Sequence, residues 1–93
     1  MVVYVEVVVC RHPNINKDFM FRAPSNSEKK LGVGDWVLCD TCKGPNQIAR
    51  CITPQFRIAD FQLKEFYGLD VEKLRPVTAY MVPVAVGNTP AKE

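Results

Sequence analysis

Short runs of β-branched and aromatic residues, broken every few positions by proline, glycine, asparagine or aspartate, constrain this chain more than any other feature. Most are too short for amphipathic helices and have the length and spacing of strands in a small barrel or sandwich. With 93 residues in all, the runs must share a single domain. A chain of this size buries roughly two-thirds of the surface its unfolded form exposes. That leaves little room for a deep active-site cleft beside a full core.

Residues 2–10 read as the first strand. Val3, Val5, Val7 and Val9 share one face, the expected core face, and Tyr4, Glu6 and Val8 the other. Pro13 and two asparagines make 11–17 a loop, so 18–23 returns antiparallel as the second strand. Gly32-Val33-Gly34-Asp35 turns the chain into a third strand, 36–41. Lys43-Gly44-Pro45-Asn46 reads as the next turn, followed by a fourth strand over 47–53. Residues 59–75 are the helical stretch, with Gly68 stopping one helix and Asp70 opening a single turn that Pro76 ends. A last strand is expected over 77–86, where Pro83 requires an edge or a bulge. The expectation is a mostly β fold of five strands with one or two short helical turns near 59–75. The domain covers 1–86, and 87–93 form a flexible tail.

A turn centred near Pro45 sets Cys39 opposite Cys51, Leu38 opposite Ile52 and Asp40 opposite Arg50, the last an ion pair. Alternation then sorts the hairpin into two faces. Val37, Cys39 and Thr41 share one with Ala49, Cys51 and Thr53, small side chains suited to a tight interior. Trp36, Leu38 and Asp40 share the other with Ile48, Arg50 and Ile52. The 59–75 helix is one cover for this bulky face, since Phe61, Phe66 and Leu69 need a packing surface. Left open, it is an apolar patch with a tryptophan and an arginine, residue types enriched in binding hot spots.

The stretch Gly34-Asp35-Trp36-Val37-Leu38-Cys39-Asp40-Thr41, a glycine-containing turn, then Ile48-Ala49-Arg50-Cys51, resembles the hairpin of Src-homology-3-like small barrels, including KOW-type modules. It is also similar to small proteins encoded in bacterial phage genomes. The resemblance covers about a fifth of the chain. It implies a small five-stranded Src-homology-3-like barrel with Val37, Cys39, Ala49 and Cys51 in the core. Such barrels usually bind peptides, proteins or nucleic acid. Trp36, Cys42, the long first strand and the 59–75 insertion depart from the pattern.

Twelve Lys and Arg against ten Asp and Glu give a net charge of +2, too little to argue for nucleic acid by charge alone. The apolar start carries Glu6 and no basic n-region, and no run approaches the ~20 apolar residues of a membrane span. A cytoplasmic chain is expected, with free thiols at Cys10, Cys39, Cys42 and Cys51. Cys39 and Cys42 have zinc-knuckle spacing, and Cys51 with Cys10 or His12 supplies further ligands. A second close pair is missing, and residues three apart in a strand face opposite ways. Buried thiols acting as small hydrophobes are therefore favoured, with no cofactor. His12 lies in a loop beside Pro13, with no nucleophile and orienting group arranged around it. Gly32-Val33-Gly34 leads into a strand and not a helix, so it is no phosphate loop.

These readings converge on a non-catalytic binding module, an enzyme being unexpected. The partner is a protein first, met by Trp36, Leu38, Arg50 and Ile52 with Lys43 and Arg57, and with loops 24–30 and 43–46 as rims. The phage resemblance implies an accessory protein, such as an inhibitor of a host defence enzyme. Nucleic-acid binding through Arg22, Lys43, Arg50 and Arg57 with Trp36 and Phe56 is the alternative. A small-ligand-sequestering or zinc-binding protein is the third reading. Exposed edges on the first and last strands would allow a homodimer.

Overall fold

In the computed structural model, which describes residues 1–24 and 30–81, the chain is organised around its first strand. Strand β1 (Tyr4–Arg11) pairs antiparallel with β2 (Asp18–Arg22) along Val7–Arg11. The next hairpin, β3 (Trp36–Thr41) with β4 (Gly44–Cys51), joins β1 through Cys10↔Cys51 and Arg11↔Arg50. A short β5 (Phe56–Ala59) pairs with the N-terminal half of β1, and β6 (Val77–Tyr80) pairs with β3. The six strands among the described residues belong to one sheet of order β2-β1-β4-β3-β6, with β5 beside β1.

The first strand is thus the middle of the sheet and not an edge, and both its faces are buried. Val8 and Cys10 enter a main core with Phe21, Leu31, Val37, Cys39, Ala49, Cys51 and Val77. Val7 points the other way, into a second core with Ile58, Leu63 and Leu74. The expected all-valine core face is therefore corrected: Val3 is exposed, Val9 half-buried, and Val8 fully buried on the opposite side. A nearly continuous apolar run, interrupted only at Glu6, suits a strand covered on both faces.

The fifth strand in sequence was not expected. Pro54 ends the preceding run, and four residues are too few to show an alternation. Helix α1 (Asp60–Tyr67) follows at once and stops where expected, at Gly68, whose φ of 68° is left-handed. The Gln62 side chain accepts the Ala59 N–H at 3.2 Å and closes the helix start. A single 3-10 turn, Val71–Lys73, then leads into β6. The expected last strand is described only to Tyr80; Pro83 and the 87–93 tail lie outside the described residues.

The sheet does not close. Its two edges touch at one parallel bridge, Arg22↔Pro76, where the Arg22 N–H donates to the Arg75 carbonyl at 2.9 Å. The Arg22 guanidinium reinforces this point by donating to the carbonyls of Val71 at 3.0 Å and Leu74 at 3.5 Å. Among the described residues no helix is long and apolar enough to cross a membrane.

Candidate binding face of the central hairpin

The turn between β3 and β4 is tighter than the sequence suggests. Thr41 pairs with Gly44, so Cys42 and Lys43 form a two-residue loop. The Thr41 hydroxyl accepts the Lys43 N–H at 3.1 Å and donates to the Gly44 carbonyl at 3.3 Å. Gly44 (φ 132°) and Asn46 (φ 57°) spend their conformational freedom inside β4 and not at the corner. The Gly-Pro-Asn cluster thus distorts the start of a strand, where a turn was expected.

The register consequently differs from the expected one. Cys39 faces Gln47, Leu38 faces Ile48 and Trp36 faces Arg50. The slip is an even number of residues, so each side chain keeps its face. Val37, Cys39 and Ala49 are fully buried and Cys51 is 1% exposed, as the small-residue face requires. The expected Asp40–Arg50 ion pair is absent among the described residues, because Asp40 lies beyond the Leu38↔Ile48 and Cys39↔Gln47 pairs.

Arg50 has a different partner. Its guanidinium lies 5.7 Å from the centre of the Trp36 ring and 3.5 Å from the position a Cβ would take on Gly34. Gly34 carries a φ of 92°, a left-handed conformation that glycine adopts without strain, and a Cβ there would only just touch the arginine. A cation over an exposed indole face contributes about 0.5–1 kcal/mol.

The bulky face is open. Trp36 is 38% exposed and Ile48 42%, while Leu38 and Ile52 are half-buried. Helix α1 does not cover it. Leu63 anchors the helix to the second core, and Phe61, Phe66 and Tyr67 remain exposed. Beside the indole, an open groove of about 560 Å³ runs between Trp36, Arg50 and Ile52 on one bank and the 11–16 segment on the other. Arg11 lies directly opposite Arg50, but its charge is held by Asp18 at 2.6 Å.

Of the expected contact residues, Trp36, Leu38, Arg50 and Ile52 are brought together, and Lys43 and Arg57 are not. Lys43 sits at the hairpin tip and lines a different cavity. Arg57 belongs to β5, where it stacks on the Tyr4 ring at 4.9 Å and faces Glu6 across the sheet. Arg22 is committed to the carbonyls before β6. The proposed rim at 24–30 lies mostly outside the described residues. The β1–β2 loop, which supplies the opposite bank of the groove, was missed. Its signal was Ile15 in an otherwise polar loop.

Three thiols meet in the main core. Cys10 and Cys51 lie 3.8 Å apart, and Cys39 is hydrogen-bonded to Cys10. That shared hydrogen bond, together with burial, pushes the Cys10 thiol up to about 12. Cys42, the fourth member of the zinc-knuckle reading, is exposed at the hairpin tip. Among the described residues no three His, Cys, Asp or Glu side chains are grouped to hold a metal ion. His12 is half-buried against Phe19 and Phe21, with Nδ1 2.7 Å from the Ile48 carbonyl. A carbonyl only accepts, so Nδ1 carries the proton.

No protein-family model, curated protein or solved structure matches the chain.

Proposed function

We propose that the protein is a non-catalytic binding module that engages a protein partner through the outer face of β3–β4. The observation that carries this reading is the Trp36–Arg50 pair, an open indole braced by a guanidinium. Leu38, Ile48 and Ile52 surround it, and the groove lies alongside. Tryptophan and arginine dominate interface energetics when a partner desolvates them. The apolar surroundings and the neutralised Arg11 favour a protein over nucleic acid. The hairpin's likeness to Src-homology-3-like barrels agrees with a binding role.

The test compares capture by the wild-type chain and by Trp36→Ala, with folding checked by circular dichroism. The reading expects a specific partner retained by the wild type and lost by the folded variant, with weak dependence on salt. Capture that collapses steeply with salt would move the reading to nucleic acid, since phosphate contacts release counterions. Equal capture by both chains would refute the face.

A further inference from the structure

The incomplete closure of the sheet leaves a second cavity, on the other side of the His12, Pro13 and Ile15 bank that lines the Trp36 groove. It has a volume of about 590 Å³ and lies between β2 on one side and the hairpin tip with residues 69–75 on the other. This is within the size range of small-molecule sites, roughly 300–1,000 Å³. Phe19 and Phe21 form its wall toward the main core, and Met20, Leu69 and Leu74 its wall toward the second. The backbone bridge that joins the sheet edges among the described residues, Arg22↔Pro76, follows directly on the lining residues Phe21 and Arg75.

The charge on the lining has one sign. Lys43, Lys73 and Arg75 line the cavity, and no aspartate or glutamate does. Lys73 is partly compensated by Asp70 at 3.9 Å. The charged ends of Lys43 and Arg75 have no acidic partner among the described residues. An apolar chamber rimmed by uncompensated cations matches a molecule with an apolar body and an anionic head. Methionine and leucine walls adapt to a flexible chain. The guanidinium fork of Arg75 suits a carboxylate or a phosphate.

We infer that this cavity binds a single-chain amphiphile with an anionic head, its tail between Phe19, Met20 and Leu74 and its head at Lys43 and Arg75. The cavity borders the protein-binding face, sharing Ile48 and the His12, Pro13 and Ile15 bank with it, but its test turns on Lys43 and Arg75 and not on Trp36. It also gives Cys42, on the same rim, a defined environment that a seated ligand shields.

Calorimetric titration of the full chain tests the inference, with decanoate, decyl phosphate, decanol and decyltrimethylammonium, all below their micellar concentrations. The expected result is saturable one-to-one binding of an anionic probe, at least tenfold tighter than the neutral and cationic probes of equal chain length. The double variant Lys43→Gln/Arg75→Gln alters exposed side chains and should fold. It should weaken the anionic probe by about tenfold or more and leave decanol unchanged. The bound anion should also slow alkylation of Cys42. Tighter binding of decyl phosphate than decanoate supports the site and assigns the head to a phosphoryl group; the reverse order assigns it to a carboxylate. Equal binding of all four probes, no saturable binding, or an anion affinity unchanged in the double variant would overturn it.

Discussion

Replacing Cys39 by serine, with Cys42→Ser as its control, tests the inward orientation of the small hairpin face by one chemical change made at two places. Both cysteines lie on the same ribbon, three residues apart, and each substitution exchanges sulfur for oxygen at nearly constant shape. Cys39 is fully buried among Val37, Ala49, Val77 and the other two core thiols, whereas Cys42 is exposed at the turn. A hydroxyl placed in the first site without a good partner costs about 1–3 kcal/mol. At the second site water solvates it, and the change should stay within about 0.5 kcal/mol. A domain of this size has a stability of about 5–14 kcal/mol. With a urea slope near 1–1.5 kcal/mol per molar, Cys39→Ser should lower the unfolding midpoint by about 0.7–3 M. Cys42→Ser should leave it almost unmoved. Equal midpoints for the two variants, or a larger loss at Cys42, would refute the assignment of faces.

Leu63→Ala removes the one buried side chain of α1 and should cost about 2–5 kcal/mol by chemical denaturation; a loss below 1 kcal/mol would mean the helix is not docked through it. The Glu6 carboxyl is held below the usual glutamate range, chiefly by the Gln55 side-chain amide at 3.1 Å and, against the opposing effect of burial, by Lys30. A depressed folded-state value means that its stabilisation is complete above the unfolded value of about 4.3 and is lost as pH falls through the folded one. Glu6→Gln should therefore flatten the acid limb of the stability profile, and a wild-type limb unchanged by the variant would exclude Glu6 as its source. Alkylation of the native chain at neutral pH should give one rapid adduct by intact mass, at Cys42. Rapid modification of Cys10, Cys39 or Cys51 would show that the core thiols are reachable.

Much of the fold was legible because the governing signals are local. The β3 limits, the antiparallel β1–β2 pair, the Gly68 stop and the single turn before Pro76 each follow from a few adjacent residues. The β3–β4 register was not, because two turn signals overlap. Gly44, Pro45 and Asn46 read as a corner, yet the Thr41 hydroxyl closes a shorter loop at Cys42 and Lys43, about two positions earlier. The face assignment survived because side-chain direction depends only on the parity of the slip. The double burial of β1 was hidden for another reason. An alternating reading presumes one wet face, and nothing within residues 2–10 reports that α1 and the 69–74 segment will cover the other side. The groove bank at 11–16 and the cationic cavity depend on where a partly closed sheet leaves a gap, which is a property of the assembled strands.

The central claim is that the bulky face of the hairpin stays open, and the chain's single tryptophan reports on it directly. Acrylamide quenching of Trp36 fluorescence in the folded, unbound chain should be clearly measurable, intermediate between a buried indole and the urea-unfolded state. Arg50→Ala, which strips away the bracing guanidinium, should move it toward the unfolded value. An indole that resists quenching in the folded chain and does not respond to Arg50→Ala would place it inside the protein and contradict the account.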